Sequence, residues 1–176
     1  MALERRGRQH EALDEDIWTS WRGPNLSGAI YGLIVVTSVL AVWSVETKID
    51  AWTVLASVVS TAFVFWAAHV YSELTAFRIR SGRRNSLTEV RAVVHHEWPV
   101  AEVAGLPVAA LLLSVIGLWS VHTAVDVGLY GSLAELGLLG LYSAWRASET
   151  VPRMIFESVI TLAFGLVIVG LKILIH

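Results

Sequence analysis

The 176-residue chain is rich in apolar side chains: hydrophobic residues make up 55% of the sequence and charged residues only 16%. Soluble domains carry about 25% charged residues, so this composition argues against a soluble domain and favours a membrane protein. The formal net charge of −2 provides no basic excess for binding nucleic acid. The chain contains no cysteine, which excludes disulfides, thiolate metal sites and a thiol nucleophile.

The first 25 residues are polar, and we predict that this cytoplasmic segment contains an amphipathic helix. Leu13, Ile17 and Trp21 recur every four residues among acidic side chains. This spacing is typical of a helix that lies in the membrane interface. No short apolar run follows the opening arginines, so the segment does not have the pattern of a signal peptide.

Residues 26–176 contain five apolar stretches, and a membrane-spanning helix needs ~20 mostly apolar residues. The stretches are Leu26–Val45, Trp52–Ala76, Val100–Val121, Val125–Trp145 and Met154–Ile175. The predicted fold class is therefore all-α, a polytopic membrane protein with five transmembrane helices. Pro107 falls inside the third stretch, where it should kink the helix or open a gap in its backbone hydrogen bonds.

The positions of the basic residues predict how the chain is oriented in the membrane. Eleven of the 13 Lys and Arg residues fall on one side of the predicted spans, and only Lys48 and Lys172 fall on the other. Lys and Arg concentrate on the cytoplasmic side of membrane proteins. We therefore predict that the N-terminus is inside and the C-terminus outside, in a bacterial cytoplasmic membrane.

A second amphipathic cytoplasmic helix is predicted at 86–98, before the third span. Ser86 and Glu89 have the spacing of a capping box. The apolar stripe of this helix consists of Leu87, Val90 and Val94. We expect the helix to lie on the membrane surface until Pro99 begins the third span, because a missing N–H is harmless in a first helical turn.

Glu135 lies near the middle of the fourth predicted span, where an ionisable side chain is costly and therefore a candidate functional residue. Gly128 and Gly131 share its helix face and would let another helix approach closely. One interpretation is that Glu135 lines a transport pathway or carries a proton. The other is that its carboxyl group bonds a neighbouring helix and only supports the fold or an oligomer.

The cytoplasmic ends of the spans carry further imidazole and carboxylate groups. His69 and Glu73 are four residues apart and so share one face of the second span. The predicted topology places Glu102 and Glu157 at a similar depth. Imidazole and carboxylate together suit Fe(II), Mn(II) or Zn(II), so these four residues form a candidate divalent-cation site. The same groups also suit a proton relay or ion pairs with the nearby arginines.

Two short motifs and the overall topology resemble the vacuolar iron transporter family. Gly28-Ala29-Ile30-Tyr31-Gly32-Leu33-Ile34-Val35 is similar to the family's first-helix Gly-Ala-Asn-Asp-Gly-Ile-Val, and Ala67-Ala68-His69-Val70-Tyr71 is similar to its second-helix Ala-Ala-Gly-Glu-Tyr. Tyr31 stands where the family has a metal-binding aspartate, and His69 or Glu73 where it has a glutamate. The resemblance implies five spans, a cytoplasmic insert before the third helix and a dimer whose pathway runs between the first helices.

These patterns favour a small membrane transporter or channel-like protein for a proton or a divalent cation. Five helices seldom enclose a pathway alone, so we expect the pathway at the interface of a homo-oligomer, most simply a dimer. The candidate pathway or proton-site residues are Glu135, His69, Glu73 and Tyr31. The alternative is a non-transporting scaffold or accessory subunit whose buried polar residues only hold helices together. An enzyme is not favoured, because the chain has no HExxH, GxSxG or paired-aspartate motif.

Overall fold

The computed structural model describes residues 25–147 and 150–175, and the regular secondary structure of these residues is helical. The helices are α1 Leu26–Trp43, α2 Ala51–Ser81, α3 Leu87–His96, α4 Pro99–Glu102, α5 Gly105–Val115, α6 Val121–Arg146 and α7 Val151–Ile175. The prediction of an all-α fold is thus confirmed. The amphipathic helix predicted for the first 25 residues lies outside the described residues, apart from Asn25.

Several helices are suited to a multi-pass membrane protein. Over the described residues, α1, α2 and α6 are each long and apolar enough to cross a membrane, and α3–α4 together with α5 add a fourth span if this bent pair is counted as one. The fifth predicted stretch falls within α7, a helix of 25 residues. The five-span topology and its orientation stay predictions.

The third predicted span, Val100–Val121, is interrupted. The structure divides this stretch into α4 and α5, with a bend of 57° between the segment Leu87–Glu102 and α5, and α5 ends at Val115. Pro107 lies in the first turn of α5 and has no N–H to donate to the carbonyl of Val103, so the helix breaks just before it. The interruption that the sequence predicts at Pro107 is therefore present in the structure.

α3 begins with the predicted capping box. Ser86 Oγ accepts a hydrogen bond from the Glu89 N–H at 3.3 Å, and Glu89 Oε2 accepts one from the Ser86 N–H at 2.6 Å. The face that packs on the protein carries Glu89 and Val93, which are 3% and 0% exposed. In the predicted apolar stripe, Leu87 is 89% exposed, whereas Val90 and Val94 are half-buried. Leu87 is therefore available for contact with lipid, and the position of α3 on the membrane surface stays a prediction.

An ion pair fastens the connection between α2 and α3. Arg83 donates to both carboxylate oxygens of Glu89, with Nη1 at 3.2 Å from Oε2. Its guanidinium also lies 5.4 Å from the centre of the Phe77 ring. Burial raises the pKa of Glu89, but the hydrogen bonds from Arg83 and Ser86 outweigh this effect, and the pKa is lowered overall.

Small residues bring the helix backbones together. A Cβ on Gly32 of α1 would lie 2.6 Å from the carbonyl oxygen of Val100 in α4. A Cβ on Gly140 of α6 would lie 3.0 Å from Cα of Ser158 in α7. The main apolar core packs α1, α2, α5 and α6 together around buried residues that include Leu40, Val58, Leu111 and Val125.

Labelling of introduced cysteines in this cysteine-free chain tests the predicted orientation. We expect Arg84→Cys to react with a membrane-impermeant maleimide from the cytoplasmic side only, and Glu46→Cys and Leu118→Cys from the outside only. All three positions are exposed and lie in connections between helices. The unsubstituted chain is the control and should not react. Labelling of Arg84→Cys from the same side as Leu118→Cys would contradict the topology.

The contact between α1 and α4 predicts that Gly32→Ala destabilises the bundle. The added methyl group meets a backbone oxygen that cannot rotate away, and overpacking of this kind costs about 1–3 kcal/mol. Gly105→Ala is the matched control, because no atom lies within 4 Å of its added Cβ. Unfolding in mixed detergent should show a loss of stability for Gly32→Ala alone. Equal stabilities of the two variants would show that the close approach does not constrain the fold.

Candidate functional site

Asn25 uses both ends of its side-chain amide at the start of α1. Its Oδ1 accepts a hydrogen bond from the Gly28 N–H at 2.8 Å and caps the helix. Its Nδ2 donates to Glu97 Oε2, also at 2.8 Å. Asn25 therefore joins the beginning of α1 to the junction between α3 and α4.

Glu97 is a buried carboxylate with imidazole groups beside it. The residue is 4% exposed. The Nδ1 atom of His69 lies 3.4 Å from Glu97 Oε2, and Nε2 of His96 lies 4.0 Å from Oε1. A buried carboxylate is costly unless it is hydrogen-bonded, paired with a positive charge or protonated. Here Glu97 accepts the hydrogen bond from Asn25 and has an imidazole near each of its carboxylate oxygens.

His69 is positioned between α1 and α3–α4 by aromatic contacts as well as by Glu97. The ring centroids of Tyr31 and His69 are 5.7 Å apart, and those of Tyr31 and Phe65 are 5.8 Å apart. Tyr31 is 49% exposed, so it flanks the imidazole at the surface of the chain. Two of the four predicted pathway residues, Tyr31 and His69, thus lie in contact.

Asn25 also lines a cavity of about 260 Å³ that contains two carboxylates. Glu102 is the last residue of α4, and Glu135 lies near the middle of α6. The apolar part of the wall includes Ala29, Val103 and Leu139. Two carboxylates that share one cavity favour a bound proton or cation, because their negative charges repel each other.

The glycines predicted to share the face of Glu135 do bring another helix close to α6. A Cβ on Gly131 would lie 2.6 Å from Cδ2 of Leu106, and one on Gly128 would lie 3.4 Å from Cα of Pro107. Both neighbours belong to α5. Glu135 therefore lies on a helix that is held tightly against the broken third stretch.

The structure does not bring the four predicted metal ligands together. The set was His69, Glu73, Glu102 and Glu157. Glu73 is bound by Arg80, whose Nη2 lies 3.0 Å from its Oε1, and Glu157 is exposed on α7. The other two lie in the separate polar groups around Glu97 and Glu135. Among residues 25–147 and 150–175, no three His, Asp or Glu side chains are arranged to hold a metal ion.

Asn25 and Glu97 lie at the centre of this arrangement, but neither is among the candidate site residues predicted from the sequence. Asn25 precedes the first apolar stretch, which is a signal for a helix cap and not for a buried contact. Glu97 stands next to two histidines and gives no sign that it is buried. The bond between them joins positions 72 residues apart, and no local pattern reports such a contact.

The chain shows no match to models of known protein families, to curated proteins or to solved structures. The resemblance to the vacuolar iron transporter family therefore stays a prediction from two short motifs.

Substitutions of Asn25 separate its two hydrogen bonds. Asn25→Ala removes the cap and the donor to Glu97, and we expect a loss of about 2 kcal/mol or more in unfolding free energy. Asn25→Asp keeps a good capping side chain but places a second carboxylate against Glu97. It should be destabilised at neutral pH and recover as the pH is lowered, because protonation of either group restores a donor.

Ser27→Ala is the control for this series, since its exposed hydroxyl also bonds Asn25 Oδ1, at 2.8 Å. Ser27→Ala should change the free energy of unfolding by no more than about 0.5 kcal/mol. Unfolding in detergent across a pH series measures all three variants. An Asn25→Asp protein as stable as wild type at neutral pH would contradict a stabilising bond to Glu97.

Proposed function

We propose that this protein is a small membrane transporter or channel-like protein that conducts protons. One observation carries the proposal: Asn25 donates a hydrogen bond to the buried Glu97 and also lines the cavity that contains Glu102 and Glu135. Ionisable groups within membrane bundles are costly and commonly mark ion and proton pathways. Here, two such groups share Asn25 as a common neighbour.

The chemistry of these groups suits proton transfer. Imidazole gains and loses a proton in the physiological pH range, and carboxylates within hydrogen-bond reach act as acids and bases. The His69 side chain is 31% exposed and lies 3.4 Å from Glu97, so it can connect the buried carboxylate to the surface. The cavity of about 260 Å³ has room for several water molecules beside Glu102 and Glu135.

A proton fits this arrangement better than a divalent cation does. Fe(II), Mn(II) and Zn(II) sites require several ligands that converge on one point. The described residues contain no group of three or more such ligands, whereas proton transfer needs only donors and acceptors in sequence. We therefore take the proton as the permeant, and transport of a divalent cation stays a prediction from the sequence.

The proposal places the complete pathway at the interface of a homo-oligomer. Glu102 lies at the exposed surface of a single chain, and a carboxylate that faces hydrocarbon is costly. A second copy over this face would cover it. α2 presents a further apolar surface, on which Phe63 and Val64 are each 60% exposed.

A non-transporting scaffold is the second candidate, and the contact between α6 and α7 favours it. Ser158 Oγ donates to the Gly137 carbonyl oxygen at 2.7 Å, and Thr161 Oγ1 would lie 2.8 Å from a Cβ on Gly140. Small residues and hydroxyl hydrogen bonds are typical of helix association in membranes. In this case Glu102 and Glu135 would stabilise helix contacts without conducting.

Proton flux into liposomes distinguishes the two candidates. We expect purified protein to dissipate an imposed pH gradient, and Glu102→Gln and Glu135→Gln each to reduce the flux by more than tenfold, because glutamine cannot exchange a proton. Asp126→Asn is the matched control on α6, since Asp126 is exposed and does not line the cavity. Its flux should remain at the wild-type level. The assembly state of every variant is compared by gel filtration.

Wild-type protein that conducts no more than empty liposomes would favour the scaffold. Conduction that survives both glutamine substitutions would remove the two carboxylates from the pathway. Loss of assembly together with loss of flux would indicate a structural role for the substituted residue.

A further inference from the structure

A second cavity, of about 540 Å³, lies along the last turns of α2, apart from the carboxylate cavity. It is lined by Tyr71, Leu74, Thr75, Arg78, Ile79 and Asn85. Asn85 comes from the connection between α2 and α3, and its Nδ2 donates to the Leu74 carbonyl oxygen at 3.0 Å. This bond holds the connection against α2, so Asn85 forms one side of the cavity.

The length of α2 places this cavity near the surface of the membrane. A helix of 31 residues is roughly 46 Å long at 1.5 Å per residue, whereas the hydrocarbon core is about 30 Å thick. Its last turns therefore extend into the headgroup region on the arginine-rich side. Tyr71 and Ile79 are 73% and 77% exposed there. Tyrosine is typical of this depth, where an apolar ring meets lipid and its hydroxyl meets water.

The charged group that lines the cavity is the guanidinium of Arg78. Arg80 is paired with Glu73, and Arg83 with Glu89. Arg78 has no ion pair with any described residue. A guanidinium presents several N–H donors in a plane and binds phosphate oxygens in pairs. Among the described residues Arg78 is therefore available to bind an anion in an otherwise largely apolar cavity.

We propose that this cavity binds one anionic phospholipid. The phosphate contacts the Arg78 guanidinium, and the upper part of an acyl chain lies along Leu74, Ile79 and the Tyr71 ring. Anionic lipids are favoured over zwitterionic ones because the charge of Arg78 is not neutralised by a carboxylate among the described residues. The site is independent of the proposed proton pathway.

Native mass spectrometry of the delipidated full-length protein, titrated with phosphatidylglycerol and with phosphatidylcholine, tests this site. We expect one tight phosphatidylglycerol site and clearly weaker binding of phosphatidylcholine. Arg78→Gln should weaken phosphatidylglycerol binding by about tenfold, the loss expected for hydrogen bonds to a charged group. Arg84→Gln is the matched control, because it removes the same charge from an exposed position outside the cavity. It should bind within about twofold of wild type.

Three outcomes would overturn the proposal. Equal weakening by Arg78→Gln and Arg84→Gln would mean a diffuse attraction to negative charge. Displacement of phosphatidylglycerol by excess inorganic phosphate would mean a phosphate site without acyl contacts. A complete disulfide between Ile79→Cys and Ile17→Cys would assign the cavity to the N-terminal segment of this chain, whose apolar stripe includes Ile17.

Discussion

The hydrogen bond between Asn25 and Glu97 connects the parts of the structure on which the functional argument depends. It satisfies a carboxylate that is 4% exposed, and it holds the start of α1 against the junction of α3 and α4. Because Asn25 also lines the cavity that contains Glu102 and Glu135, the bond sets the positions of both polar groups relative to each other. Either proposed role needs it: a pathway needs its groups close together, and a scaffold needs its buried charges satisfied.

The break in the third apolar stretch complements this bond. If the helix continued without a break through Val103, Glu102 would lie in the middle of one straight helix and not at a helix end. The short α4 instead ends at Glu102, beside α1 and near the middle of α6, where Glu135 lies. Gly32 allows this arrangement, because any larger residue would meet the carbonyl of Val100. The polar site therefore depends on one proline, which breaks the helix, and one glycine, which lets the broken helix approach.

Local features of the fold could be read from the sequence because they involve residues close together in the chain. A helix in hydrocarbon satisfies its own backbone groups, so long apolar stretches predict helices without knowledge of their neighbours. The capping box at Ser86 and Glu89 involves residues three apart and was found where expected. The sequence also predicts that Pro107 interrupts its helix, because proline has no backbone N–H to donate. It does not predict the extent of the break, because that depends on how α1 and α6 pack against the two pieces.

The sequence by itself thus determined the helical class, the apolar spans and the list of ionisable residues among them. Only the tertiary structure decided which of those residues meet. His69 and Glu73 share a helix face, yet Arg80 binds Glu73, and the neighbour of His69 is Glu97 from another part of the chain. Spacing shows which side chains project from the same side of one helix. It does not show which other helix packs against that side. The packing helix decides whether a carboxylate forms an ion pair at the surface or is buried between helices.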